Sequence, residues 1–196
     1  MRARILVVHS PEAELEKAAQ EIARVFEGAG AHAVVKGAWA RIAVASFDSV
    51  VVCGRLGAKG WRDSAVDFLG EHRHVLAPLS VAYLVAVPDD FQVAENLRSL
   101  ERGLGYVLNW YNELRPVKLG LFHLARPDSL AGVREWAESL KPNFIDPSFE
   151  APSGIRPFME AHPVESSDMS HLPVAGYRAD SMVDPSGRPD EGLRRD

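Results

Sequence analysis

The stretch "VVHSPEAELEKAA", residues 7–19, contains the local pattern that decides the fold. Two β-branched residues end an apolar run, a short turn with Ser10 and Pro11 follows, and a helical pattern begins directly after it. In open α/β proteins this strand–turn–helix junction is the usual resting place of a phosphate group. Here the start of the helix carries Glu12, Glu14 and Glu16, whose negative charges disfavour a phosphate.

Four more apolar runs repeat the strand pattern along the first 140 residues. Residues that favour buried parallel strands occupy 3–8, 32–37, 49–53, 79–87 and 117–124. Helical periodicity lies between these runs. The first helix shows an apolar stripe from Leu15 to Phe26 and ends at Gly28 and Gly30. Further helices are predicted at 62–74, 90–113 and 128–140, the last with Asp128 as a candidate N-cap. Only residues 38–48 are ambiguous. This alternation predicts a doubly wound α/β fold with a five-stranded parallel sheet, whose ligand crevice lies at 9–13, 54–61, 84–90 and 124–128.

Composition and charge narrow the function classes. The net charge of −5 argues against a general nucleic-acid binder, which would carry a basic patch. Cys53 is the only cysteine, so an intrachain disulfide is excluded and a reducing compartment is compatible. The first residues make a poor signal peptide, and no apolar run approaches the roughly 20 residues that span a bilayer. We therefore expect a cytoplasmic protein without an integral membrane segment.

Residues 141–196 differ from the rest of the chain. They hold eight of the 13 prolines, together with six Lys or Arg against ten Asp or Glu, and they show no helical or strand period. The sequence therefore predicts two units, a domain over 1–140 and an extended Pro-rich C-terminal arm over 141–196. The arm keeps Phe144, Ile145, Phe149 and Phe158, so we expect it to dock on protein from about 142 to 178 and to contribute to a homodimer.

Several chemistries are excluded because their residues are missing. A phospho-accepting receiver domain needs an Asp at the end of the third strand, where this chain has Cys53 and Gly54. A P-loop needs Gly-Lys-Ser/Thr after the first strand, and none is present. Residues 54–60, "GRLGAKG", are glycine-rich, but they follow the third strand and do not form the dinucleotide-binding pattern.

Residues 34–69 together resemble the flavodoxin family. The resemblance rests on Phe47-Asp48 before the third strand, the Gly54–Gly60 loop, Trp61, and Ser64-Ala65 at the start of a helix. The resemblance is closest to the flavodoxin-like protoporphyrinogen oxidases, and "LNWYNELRPVKLGLF" (108–122) extends it. It implies the strand order 2-1-3-4-5 and a site for FMN. The implied cofactor-binding residues are Ser10, Gly54, Arg55, Leu56, Gly57, Ala58, Lys59, Trp61, Tyr83, Leu84 and Val85.

The chain departs from the family in two places. Its first loop keeps only Ser10 of the expected hydroxyl and glycine residues, so the phosphate loop is degenerate. The long basic and aromatic insertion that the oxidases carry after the fifth strand is missing. The resemblance thus implies an FMN-dependent oxidoreductase that holds its flavin weakly and passes electrons to a small-molecule or porphyrin-like partner. The alternative is a flavin-free flavodoxin-fold scaffold or interaction subunit.

The candidate residues also have structural interpretations. Ser10 fits the N-cap of the first helix, and Trp61 fits a cap on the sheet edge as well as a flavin-stacking ring. The basic residues Arg55, Lys59 and Arg62 fit ion pairs with Glu12 and Glu14, and they also fit a site for an anion displaced from the first loop. Cys53 fits a small core position. A further set, His162, Asp168 and His171, matches no structural zinc spacing, so no metal ligand is assigned.

Overall fold

The computed structural model of the chain describes residues 2–57, 60–61, 63–89, 91, 104–105, 107–108, 111, 113–114, 116–126 and 128–145. Six strands lie in this part of the chain: β1 (Arg4–His9), β2 (His32–Gly37), β3 (Ser49–Gly57), β4 (Gly60–Trp61), β5 (Ser80–Ala86) and β6 (Lys118–Phe122). The helices are α1 (Ala13–Gly28), α2 (Ser64–Leu76), α3 (Ser129–Glu138) and the single turn α4 (Lys141–Phe144). None of the described helices is both long and apolar enough to cross a bilayer.

The five long strands form a parallel sheet in the order β2-β1-β3-β5-β6. Counted without the short β4, this is the predicted order 2-1-3-4-5, and the α/β fold class is confirmed. The strands are buried on both faces because successive residues point to opposite sides of the sheet. Ile5 and Val7 join one core, and Leu6 and Val8 join the other.

Each face of the sheet is covered by its own helices, which makes the sheet doubly wound. On one face, α1, α3 and α4 contribute Phe26, Trp136 and Phe144 to the core. On the other face, α2 contributes Phe68, and the helical residues Leu104 and Val107 pack beside it. Of the helix predicted at 90–113, the structure describes residues 91, 104–105, 107–108, 111 and 113, and it assigns 104–105 and 107–108 to a helix.

The structure adds detail to three local predictions. The ambiguous residues 38–48 contain only a 3₁₀ turn at Val44–Ser46, so β2 and β3 are joined without a full helix. Asp128 is the N-cap residue of α3, as predicted, but its side chain makes no capping hydrogen bond. The predicted third strand ended at residue 53, whereas β3 continues to Gly57, because β4 pairs with it as an antiparallel hairpin.

The C-terminal arm lies mostly outside the described residues. Its first part, α4, packs on the domain, where Phe144 stacks on Phe26 with ring centroids 5.5 Å apart and Ile145 lies against the same core. Residues 146–196, and with them the predicted docking and dimerisation of the arm, are not described. The boundary between 140 and 141 and the homodimer remain predictions.

Candidate functional site

The candidate site lies where β1, β3 and β5 end at the same edge of the sheet. The chain places β2 on one side of β1 and then crosses to β3 on the other side. The ends of β1 and β3 are therefore the topological switch point of the fold. The first loop follows His9 there, and the hairpin of β3 and β4 rises beside it. The geometry therefore brings the predicted segment 9–13 close to residues 54–57 and 60–61, the described part of the predicted segment 54–61.

Ser10 is fully buried and bonds to the second helix rather than to the first. Its backbone N–H donates to the Cys53 carbonyl at 3.0 Å, so the chain continues the strand direction through this residue. Its hydroxyl oxygen accepts hydrogen bonds from the Ala65 amide at 3.2 Å and from the Ser64 hydroxyl at 3.3 Å. The prediction that Ser10 caps the first helix is wrong, because this inward orientation places the hydroxyl at the start of α2.

The start of α1 is occupied by acidic side chains instead. Glu12 is the N-cap residue by backbone geometry but makes no capping hydrogen bond with its side chain. Its Oε2 is buried without a hydrogen-bond partner among the described residues, and the same holds for Nε of Arg55. The terminal nitrogen Nη2 of Arg55 lies 3.7 Å from Oε2 of Glu14, which confirms the predicted ion pair for these two residues. Lys59 and Arg62, the other cations in that prediction, fall outside the description.

The glycine-rich segment is a hairpin with Trp61 folded inward. Leu56 pairs with Trp61, and Gly57 pairs with Gly60. The Trp61 indole is fully buried against Tyr83, at a centroid distance of 5.3 Å, and it covers Gly54 so closely that a Cβ there would lie 2.1 Å from its Nε1. Of its two predicted roles, this position corresponds to the cap on the sheet. An exposed ring face for stacking is not available in this conformation.

Asp63 joins the hairpin to α2 and was not predicted as a site residue. Its Oδ2 accepts from the Arg55 amide at 2.7 Å, and its Oδ1 accepts from Trp61 Nε1 at 3.1 Å and from the Ala65 amide at 3.0 Å. The last of these bonds makes Asp63 the true N-cap of α2. An Asp directly before an apolar helical pattern is an N-cap signal that the sequence does contain.

Three predicted cofactor residues from the fourth predicted strand lie inside a strand. Tyr83, Leu84 and Val85 are core residues of β5, and the strand continues to Ala86. Within the predicted crevice segment 84–90, the loop therefore starts no earlier than Val87. Burial, together with the nearby Glu113 and Tyr111, raises the pKa of the Tyr83 phenol.

Most of the predicted cofactor residues that the structure describes are buried. Gly54, Leu56, Trp61 and the three β5 residues are buried, Arg55 is half-buried, and Gly57 is exposed. Ala58 and Lys59 lie outside the described residues. The structure thus brings Ser10, Arg55 and Trp61 to one edge, but most of these side chains face the core. Their role towards a cofactor remains a prediction.

Cys53 lies in β3, the strand between β1 and β5. The thiol is fully buried, and burial raises its pKa. The small core position that the sequence predicted agrees with this environment. Within the described ranges, no group of three or more metal-binding side chains comes together.

Comparisons with known proteins identify the fold but give no sequence relative. No protein-family model matches the chain, and no curated protein matches it. Solved structures do match. A short-chain flavodoxin associated with a non-canonical PDU bacterial microcompartment shares 10% identity, with 73% of this chain and 99% of that chain covered at a TM-score of 0.54.

Two further structures are similar over the same part of the chain. A point mutant of the flavodoxin from Pseudomonas aeruginosa shares 12% identity, covers 72% of this chain and 98% of its own, and has a TM-score of 0.55. A point mutant of the Fusobacterium nucleatum flavodoxin, bound to flavin mononucleotide, shares 8% identity, with coverages of 74% and 98% and a TM-score of 0.50. Because these identities are low, the comparison shows only that the chain shares the fold of these structures. The chain has a flavodoxin-like fold.

Proposed function

We propose that this chain uses the flavodoxin-like fold without a tightly held flavin, as a binding or interaction subunit. The observation that supports this proposal is the first loop, where the chain's own side chains take the place of an anion site. FMN would place its phosphate at this loop, and the phosphate would need free amide or hydroxyl donors.

Ser10 and Pro11 offer no free amide to a phosphate. The Ser10 amide donates to the Cys53 carbonyl, and the Ser10 hydroxyl oxygen is held by α2. Pro11 has no N–H to offer. These two residues do not fit a phosphate group in this conformation.

The charges at the start of α1 also oppose a phosphate. Like charges about 4 Å apart repel by about 1 kcal/mol in water and about 4 kcal/mol near a protein surface, and a phosphate dianion carries two charges. Glu12 is the N-cap residue and Glu14 lies in the first turn, and Arg55 already has Glu14 as its ion partner. The carboxylates of Glu12 and Glu14 therefore already neutralise the positive end of the α1 dipole.

The competing proposal is a redox protein that holds FMN weakly and transfers electrons to a small-molecule or porphyrin-like partner. The fold similarity favours it, since one of the similar flavodoxins is bound to flavin mononucleotide. The flavin would supply the redox chemistry, and the chain would supply binding and orientation. This competing proposal includes the resemblance to the flavodoxin-like protoporphyrinogen oxidases.

An FMN titration distinguishes the two proposals. We expect protein purified under mild conditions to lack the flavin absorption bands at about 370 and 450 nm, which are set by the cofactor's own electronics. Added FMN should leave the melting temperature unchanged, because a ligand stabilises only the state that binds it. Yellow protein, or a melting temperature that rises with FMN, would establish the redox proposal instead.

A charge variant makes the test sharper. Glu14→Gln removes one negative charge and releases Arg55, so we expect the affinity for FMN or inorganic phosphate to rise by about ten-fold, which corresponds to about 1.4 kcal/mol. Glu27→Gln is the matched control, because it makes the same charge change at an exposed residue in the last turn of α1. Equal affinities in both variants would contradict the electrostatic explanation.

The proposal also covers location and assembly. A single cysteine is compatible with a reducing compartment, which supports a cytoplasmic location. A homodimer formed with the C-terminal arm fits an interaction subunit.

A further inference from the structure

A second concave site lies on the opposite side of the first loop from the hairpin. It has a volume of about 490 Å³ and is lined by the ends of β1 and β2 and by the first turns of α1. This volume lies within the range of small-molecule sites, roughly 300–1,000 Å³. None of the residues predicted from the sequence to bind a cofactor lines it.

His9 supplies a defined hydrogen-bond acceptor to this pocket. The imidazole is only 7% exposed, and its Nδ1 lies 2.8 Å from the Ser10 carbonyl oxygen. A carbonyl can only accept, so Nδ1 must carry the proton and Nε2 of the neutral ring must carry a lone pair. Nε2 has no hydrogen-bond partner in the described part of the chain, yet it is not among the fully enclosed polar atoms there. His9 lines the pocket, so we infer that a ligand bound there can reach this lone pair.

Trp39 forms an aromatic wall beside His9. It is 63% exposed, which makes it the most exposed large apolar side chain of the described residues. The indole lies against Gly37, where an added Cβ would be 2.4 Å from Cζ2, so a glycine is needed for the ring to lie there. It meets the His9 ring edge-to-face, with centroids 5.7 Å apart and planes at 85°. The ring is thus held in place while most of its surface remains open to a ligand.

The remaining polar lining carries balanced charge. Glu16 and Lys36 contribute one charge of each sign, and Gln20 donates a hydrogen bond to Glu16 at 3.3 Å. All three side chains are exposed at the rim. A balanced rim gives no electrostatic preference for a strongly charged ligand and offers both donors and acceptors to polar substituents.

We propose that this pocket binds a planar nitrogen heterocycle with an N–H donor, of the nucleobase or nucleoside class. Its ring packs against Trp39, since aromatic stacking is the main source of affinity for such rings. Its N–H donates to Nε2 of His9, the acceptor that the protein leaves without a partner. Neutral substituents such as sugar hydroxyls lie at the rim near Glu16 and Lys36.

Adenosine is a suitable probe, with the full-length chain titrated by calorimetry or protein-observed NMR. We expect saturable binding with a Kd of about 1 mM or tighter. Trp39→Ala should weaken binding by about ten-fold, because base–aromatic stacking contributes about 1–3 kcal/mol. Val75→Ala is the matched control, since it also removes a partly exposed apolar side chain, but on α2 and outside the pocket. It should leave the affinity unchanged.

A modified ligand tests His9 without changing the protein. In dimethyladenosine both hydrogens of the exocyclic amino group are replaced by methyl groups, so the ring remains while that donor is lost. We expect its affinity to fall about five-fold, the effect of one hydrogen bond. The proposal is wrong if adenosine does not saturate by about 1 mM, if Trp39→Ala binds it as tightly as the wild type, or if both ligands bind equally. These outcomes do not depend on FMN, which would be measured at the other edge of the loop.

Discussion

At the scale of single residues, Gly54 and Trp61 act as one unit. The glycine has no side chain in the central strand β3, and the indole of Trp61 fills that space, as aromatic residues do for glycines in other sheets. Gly54→Ala would place a methyl group 2.1 Å from Trp61 Nε1, so the ring has to leave its position. We expect a loss of about 2–3 kcal/mol in the free energy of unfolding, the usual cost of overpacking, measured by chemical denaturation.

A second glycine provides the control. Gly28, the last residue of α1, has no atom within 4 Å of an added Cβ. Gly28→Ala makes the same chemical change and should alter stability by no more than about 1 kcal/mol, in the stabilising direction. Equal effects of both substitutions would mean that the contact between Gly54 and Trp61 has no energetic role.

At the scale of elements, one buried carboxylate joins two helices. Glu21 on α1 accepts from Arg134 on α3, with Oε1 at 2.7 Å from Nε and 2.6 Å from Nη2, and from Arg24 through Oε2 at 2.9 Å. The hydrogen bond from Arg134 is the main cause that lowers the pKa of Glu21, against the opposing effect of burial, with Arg24 adding to it. Both arginines are largely exposed, which reduces the energy of these pairs through solvent screening.

Glu21→Gln should therefore destabilise the fold by about 1–2 kcal/mol at neutral pH. Because the pKa is lowered in the folded state, this contribution is present above the ordinary value of 4.5 and is lost as the pH falls through the lowered pKa. The stabilities of wild type and variant should accordingly converge in acid, as measured by denaturation at several pH values. Glu27→Gln, on the same helix but exposed, should match the wild type throughout. A gap that persists in acid would contradict this assignment.

Sequence patterns predicted the elements better than the contacts between them. Within a strand or a helix, apolar residues recur with a period that can be seen in the local sequence. For this reason β2 was predicted at its observed bounds, and α1 ends at a predicted glycine. The inward turn of Ser10 and the fold of Trp61 over Gly54 depend on residues from other elements. The pocket of His9 and Trp39 forms only when the turn after β2 packs against the end of β1. No local pattern contains that information.

At the scale of the whole molecule, α4 packs on the domain directly after the predicted boundary at residue 140. Phe144 is a core residue, so removing residues 141–196 also removes a side chain whose loss typically costs about 3–5 kcal/mol. A chain that ends at Ile145 should keep this core, whereas one that ends at Leu140 should melt at a clearly lower temperature. Equal melting temperatures would contradict the role of α4. Phe144→Ala in the full-length chain is the control, because it removes the same contact without a truncation.

The chain that ends at Ile145 also tests the homodimer. If the arm contributes to a dimer interface, light scattering should give about twice the chain mass for the full-length protein and one chain mass for the truncated one. The same mass per particle in both proteins, after allowance for the deleted residues, would show that the arm does not mediate assembly.

The buried thiol of Cys53 has a practical consequence. It is the only cysteine of the chain, it lies in the strand between β1 and β5, and burial raises its pKa. A thiol reagent attacks only the exposed thiolate, so modification has to wait until the central sheet opens. The rate at which a thiol reagent labels Cys53 in the folded protein therefore reports the opening of the core. Comparing this rate between variants measures their relative stability without denaturant.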